Sequence, residues 1–455
     1  MSKTSPQSGA GDLNPRTWLD KWVPEDAGFW EATGKRLAWR TLIITTLNLT
    51  MAFVVWFVVS ALVVRLPNVG FKLSPTELFW LIAMPGLAAG ILRTLHTFLI
   101  PIYGTRHVVT VSTLTLLIPF TGWFYAVQHP EIPYWVLLVF AFLAGLGGGN
   151  FSSFMPSTSL FFPKRLVGTA LAIQAGVGNF GVSVVQFVTP WIISFGVFGI
   201  LGGGPQVFTP AEGNPKPIWL QNATLIYVPF LLLFIPAAWI GLKSVPVRAN
   251  FREQLDIFGN KNTWMMTSLY LMTFGTFSGF SATFPMLIKQ VYGVLPGGPD
   301  PLTYAFFGPL VGSMARVLAG PISDRFGGAI VTHFAGIGLL ACTIGVVFYT
   351  QPSSMAEFPV FVGLMLAVFF FSGVGNASTF KQMPTIFEPR QASGVIGFAA
   401  AMAAFGPFLW GSLIGVSFSA TGSVNAFLCG LIVFYMINIL INWWYYARKG
   451  AERRC

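Results

Sequence analysis

Two arginines stand where a charge is costly. Arg93 in ILRTLHTF and Arg316 in SMARVLAG each sit inside a long apolar run. A guanidinium at the centre of a bilayer costs about 2.5 kcal/mol or more on insertion scales, so each needs a partner or a water-filled cavity. The ordinary structural partner would be a membrane carboxylate. All 15 acidic residues, from Asp12 to Glu452, map to a terminus, a loop or the end of an apolar run. Two guanidinium groups without a carboxylate, facing one cavity, make an anion site. A planar five-donor fork also suits a small oxyanion better than a point charge does. His96 lies one turn beyond Arg93 and reads as a hydrogen-bonding wall residue, with a proton carrier as the alternative. Phe151, Tyr270 and Phe274 are suitable walls for a weakly hydrated anion. The last two are four apart in YLMTF and share a helix face.

Other chemistry finds no support. There is no nucleophile and base constellation, no metal-ligand spacing and no phosphate-cradling loop, so no enzyme activity, metal or cofactor is expected. Cys342, Cys429 and Cys455 are odd in number and imply no disulfide framework.

The elements that must position these residues follow from composition. The 455-residue chain is 54% hydrophobic and only 9% charged, against about 25% charged in a soluble domain. It reads as an all-α polytopic membrane protein. Hydropathy gives twelve spans, at 41–64, 78–101, 107–127, 134–160, 167–200, 223–243, 263–289, 302–321, 329–350, 359–386, 393–418 and 424–446. No cleavable signal peptide is evident in the polar first 40 residues. Within them, WVPEDAGFW begins a stretch that reads either as a short amphipathic surface helix or as an ordered tail capping the first span.

The net charge of +11 could suggest nucleic acid, but its distribution points to topology. With both termini in the cytoplasm, most of the 26 Lys and Arg fall inside, whereas Arg65, Lys72, Lys216 and Lys289 fall outside. That asymmetry is the positive-inside rule. The expected partners are therefore the bilayer and a small anion, not nucleic acid.

The chain also repeats itself. At an offset of 226, Gly149, Asn150, Ser152, Ser153, Phe154, Phe161, Pro163, Lys164 and Gly168 fall on Gly375, Asn376, Ser378, Thr379, Phe380, Phe387, Pro389, Arg390 and Gly394. At an offset of 223, Arg93 falls on Arg316 and Gly104 on Gly327. Repetition over half the length, with six spans per half, marks a transporter built of two bundles. This points to the major facilitator fold. The expected division is a cytoplasmic segment at 1–40, bundles at 41–243 and 263–446, a linker at 244–262 and a tail at 447–455. GPISDRFGG resembles that superfamily's loop signature, which makes Asp324 and Arg325 expected gate residues. The corresponding LIPIYGTRH keeps Gly104 but has Pro101 in place of the Asp.

GLGGGNFSSFMPSTSLFFPKRLVGTALAIQAGVGNFGVS and GVGNASTFKQMPTIF resemble the paired nitrate-signature stretches of the bacterial nitrate/nitrite porter family, often called NarK-type. WVPEDAGFW and LRTLHTFLIPIYGTR are similar to that family too. The resemblance spans nearly the whole chain. It implies an inner-membrane protein, expected as a monomer, that moves nitrate and nitrite. Arg93 and Arg316 would clamp the anion, with Phe151, Tyr270 and Phe274 as aromatic walls and Asn179 as a polar contact. Gly176 and Gly178 would let helices slide, and Gly149, Asn150, Gly375 and Asn376 belong to the signatures. Members with a serine or threonine near the site in span eleven contrast with GVIGFAAAMAAFG here, so that helix is expected to give the site little. Without membrane carboxylates, the chain stands nearer the family's nitrate/nitrite exchangers, with His96 leaving a proton symporter as the alternative. An organic-anion antiporter would call for more cavity charge and fewer aromatics. A channel would not need two repeated bundles, and a sensor would carry an output domain.

Overall fold

The computed structural model of the protein describes residues 17–97, 99–210, 214–245 and 255–455. Much of the linker expected at 244–262 therefore lies outside the described residues. Among the described residues, twelve helices are long and apolar enough to cross a membrane. They are α1 (Ala27–Val63), α2 (Pro75–His96), α3 (Ile102–Ala126), α4 (Tyr134–Phe161), α5 (Arg165–Ile192) and α6 (Asn222–Gly241) in the first half. The second half holds α7 (Lys261–Val291), α8 (Pro301–Phe326), α9 (Gly328–Val347), α10 (Met355–Ile386), α11 (Gly394–Thr421) and α12 (Asn425–Ala447). The protein is a multi-pass membrane protein. A small antiparallel hairpin, β1 (Gln206–Phe208) and β2 (Lys216–Ile218), lies between α5 and α6.

Burial separates the helices into two roles. The most apolar stretch of α7 is 94% covered by protein and that of α1 78%, whereas α6, α9 and α12 are covered only 28%, 39% and 33%. The first pair forms the centre, and the last three turn most of their surface to lipid. In hydrocarbon an apolar side chain needs no protein partner, so such helices are apolar all round.

Two boundaries differ from the hydropathy reading. The first helix begins at Ala27 instead of 41, because Asp26 caps it through Phe29 N at 2.6 Å and the charged turns continue the same helix. Its aromatics do not lie along a surface but pack under α4. Trp22 Nε1 donates to Leu160 O at 2.9 Å, and the Trp22 and Trp30 rings sit 5.1 and 5.9 Å from Phe161 and Phe162. The ordered tail is thus the form adopted. At the other boundary, α5 stops at Ile192, although the apolar run continues to residue 200. Gly199, at φ +50°, begins a separate short helix, a break that averaged hydropathy cannot register.

The internal repeat is visible in the backbone. Gly104 and Gly327, matched at the offset of 223, both adopt positive φ (75° and 91°) where α3 and α9 begin. Only glycine takes that conformation without strain. The signature helices differ, however. α10 contains one unbroken α-helix, Phe358–Ile386, whereas α4 is interrupted at Gly145 and Asn150.

Candidate functional site

The interruption in α4 is where the site begins. A Cβ on Gly147 would lie 2.0 Å from Ala52 O of α1, and one on Gly148 would lie 2.3 Å from Ala89 Cβ of α2. Three successive glycines thus bring α4 against both neighbours, and the loosened turn frees a carbonyl. Arg93, fully buried on α2, takes it: Nε donates to Gly148 O at 2.8 Å. Its Nη1 donates to Ala400 O of α11, also at 2.8 Å, so one guanidinium spans both halves. The remaining nitrogen, Nη2, is buried without a hydrogen-bond partner.

Aromatic rings surround that charge. Arg93 Cζ lies 4.6 Å from the Phe151 ring centre, 5.2 Å from Trp56 and 5.2 Å from Phe274. Arg316 of α8 faces the same Phe274 ring at 5.9 Å and Phe380 at 5.3 Å. Phe274 is therefore a shared wall between two cations, one from each half. Each ring face offers a cation about 0.5–2 kcal/mol, depending on desolvation. That softens the cost of burial without neutralising the charge. Among the described residues neither arginine enters an ion pair.

The backbone of α7 sets Phe274 in place. Its α-helix gives way at Tyr270 to a wide π-turn, Leu271–Gly275, a form concentrated at functional sites. The Tyr270 and Phe274 rings stack 5.4 Å apart at 7°. Tyr270 is fully buried there. Asn179 of α5 completes the polar set. With its amide oriented to satisfy both ends, it accepts from Arg316 Nη1 at 3.2 Å and donates to Ala175 O at 3.3 Å.

The structure thus brings Arg93, Arg316, Phe151, Tyr270, Phe274 and Asn179 together. Gly176 and Gly178 are close-contact points on α5, where added Cβ atoms would lie 2.6 Å from Val317 and 2.9 Å from Leu49. Gly149 packs beneath Leu92 and His96, and Gly375 against Thr273. Asn150 and Asn376 are buried, and both polar atoms of the Asn376 amide lack partners. His96 Nδ1 lies 2.9 Å from Ser153 Oγ, which itself donates to Asn150 O at 3.2 Å. The histidine thus braces α4 beside the site. Asp324 and Arg325 lie apart from it, at the end of α8. Asp324 pairs with Lys381 of α10 at 2.6 Å, and Arg325 Cζ sits 5.3 Å from the Phe326 ring.

Four contributors escape the sequence reading. Phe380 had a signal, since the repeat matches it with Phe154 inside the signature. Trp56, in the uniform run AFVVWFVVS, had none. The carbonyls of Gly148 and Ala400 carry no side-chain mark. The second of them corrects the expectation for α11, because an alanine-rich helix contributes through its backbone.

A family model described as Major Facilitator Superfamily matches residues 41–380. The chain is 66% identical over 439 residues to the "Probable nitrate/nitrite antiporter NarK2" of Thermus thermophilus, covering 96% of this chain and 98% of that one. The chain belongs to the NarK-type porters of the major facilitator superfamily. A second NarK-type relative, the "Nitrate/nitrite transporter NarU" of Escherichia coli K12, is 36% identical, over 97% of this chain and 99% of that one. The superfamily fold appears as well in a solved D-xylose-proton symporter, at a TM-score of 0.63 and 16% identity over 89% of this chain and 97% of that one. That likeness concerns architecture alone.

Proposed function

We propose that the chain is a nitrate/nitrite transporter that exchanges one anion for the other by alternating access. Arg93 and Arg316 clamp the anion, Phe151, Tyr270 and Phe274 enclose it, and Asn179 steadies Arg316. The observation that carries this reading is the pair of buried guanidinium groups, one from each half, sharing the Phe274 ring without a carboxylate. A nitrate or nitrite ion fits the requirement. It is planar, singly charged and weakly hydrated, and its oxygens accept in the plane that a guanidinium fork offers.

Exchange follows from the charge balance. Two positive groups with no carboxylate resist the closing of the halves around them, whereas a bound anion neutralises part of that repulsion. Reorientation without cargo is therefore slow. The protein is proposed to act as a monomer in the bacterial inner membrane, with cytoplasmic termini, bundles at 41–243 and 263–446 and a role in nitrate assimilation. In the second reading, proton symport, His96, near the site and hydrogen-bonded to Ser153, would be the proton carrier.

Reconstitution separates the two readings. Nitrate uptake is expected to be fast into nitrite-loaded liposomes and slow into anion-free ones, with no response to an imposed proton gradient. Proton-driven accumulation in anion-free vesicles would overturn exchange.

A further inference from the structure

On the face opposite the termini, the two halves are tied by charged groups outside the central site. Arg65, at the end of α1, donates from Nη2 to both carboxylate oxygens of Asp300, at 2.8 and 2.6 Å. Asp300 caps α8 through Leu302 N at 3.0 Å, so this ion pair joins the first half to the second. Lys289 of α7 crosses the same seam. Its Nζ donates to Val64 O and, at 2.9 Å, to Asn68 Oδ1. The hairpin closes over the cluster: the Phe208 ring lies 5.4 Å from Arg65 Cζ, and Asn68 Nδ2 donates to Thr209 O at 2.8 Å.

Two features of this cluster go beyond a latch. Among the described residues, Arg65 and Lys289 bring two positive charges here and Asp300 one carboxylate, paired with Arg65, while Lys216 Nζ lies 5.6 Å from the same Phe208 ring. The arginine is also incompletely used: its Nε is buried without a hydrogen-bond partner, although the residue is only 8% exposed. A carboxylate and a nitrate present the same planar pair of acceptor oxygens to a guanidinium. Asp300 therefore occupies Arg65 in the way a small oxyanion would.

We propose that Arg65 is an outer capture site for a small planar oxyanion, and that Asp300 is its tethered competitor, bound to it while this face is closed. The inference rests on the transport reading above, and adds a site to it. When the halves part, Asp300 and Lys289 leave with the second half and Arg65 loses its counter-ion. An anion arriving from that side replaces the carboxylate and is handed inward to the arginine pair. Return of Asp300 expels any anion left behind and reseals the face.

The test compares nitrate half-saturation from the two sides of the membrane, using nitrite-loaded right-side-out and inside-out vesicles that contain the full-length protein. Arg65→Gln is expected to raise the ratio of outer to inner KM about tenfold, the worth of one charge-assisted hydrogen bond. Asp300→Asn is expected to lower it, because the competitor is gone. A pure latch predicts otherwise, since breaking the pair from either side opens the face alike. Movement of Arg65→Gln and Asp300→Asn in the same direction, or no movement in either, overturns the capture site while leaving central exchange intact. Failure of the unaltered protein to exchange nitrate would instead sink the transport reading itself.

Discussion

At the scale of single residues, the decisive quantity is the number of directed donors on a buried charge. Arg93 uses one N–H edge on Gly148 O and another on Ala400 O, and still has Nη2 for an anion. A lysine keeps the charge but not this geometry. Its one nitrogen cannot reach two carbonyls in different halves and also face the anion. Arg93→Lys is therefore expected to reduce nitrate exchange by about 30-fold or more, the equivalent of about 2 kcal/mol or more at charged hydrogen bonds. Arg316→Lys, which loses its contact with Asn179, is expected to fall similarly. Expression and detergent elution of both variants should stay near those of the parent. Transport at parental affinity would refute the clamp. The arginines were legible in the sequence because an intramembrane charge has a large free-energy cost and must have a reason. Asp324 was less so: its partner Lys381 sits on another helix, and linear order cannot reveal a pairing that only packing creates.

At the scale of elements, small residues decide how closely helices approach, and hence where the site's backbone acceptors lie. Three successive glycines stand out in α4, and the contact distances give them a close-packing role. What the sequence could not display was the consequence that α4 loosens there while its repeat partner, α10, stays regular. The flanking signature residues match, but at the offset of 226 Gly145 falls on Phe371 and Gly148 on Val374, so the repeat does differ at this turn. At the looser turn Gly148 O accepts from Arg93 Nε. Gly148→Ala places a methyl group 2.3 Å from Ala89 Cβ. Overpacking of this kind costs about 1–3 kcal/mol, and it also shifts the carbonyl that holds Arg93. The expected result is a thermal midpoint in detergent lowered by several degrees, together with weakened nitrate transport. Gly320→Ala is the contrasting case. No atom lies within 4 Å of its added Cβ, so helix propensity alone should leave the midpoint unchanged or raised. Equal effects at the two positions would remove close packing as the reason for the glycines.

At the scale of the whole molecule, the two-fold repeat was the most readable property, since span count, matched arginines and matched loop glycines all expressed one duplicated plan. The conformation was not readable, because alternating access requires one sequence to support two packings of nearly equal free energy. In the form described here, the face opposite the termini is tied by Arg65, Asp300 and Lys289. Toward the termini, the close contact of α5 with α8 is not repeated. Gly176 and Val317 are in close contact, but one turn past Val317 an added Cβ on Gly320 would meet nothing within 4 Å, and the same holds at Gly168. A rocking mechanism about the central arginines must close that gap when the opposite face opens. A bulky side chain placed there should therefore be harmless to the present form and incompatible with the other. Gly320→Trp is expected to fold normally and to be stabilised against heat by added nitrate, because Arg93 and Arg316 are untouched. Its exchange rate in nitrite-loaded liposomes is expected to fall about 100-fold, since a buried clash of several kcal/mol depopulates the alternate state. Exchange at the parental rate would mean that α5 and α8 do not meet on this face, and the pivot would then have to lie elsewhere than at the arginine pair.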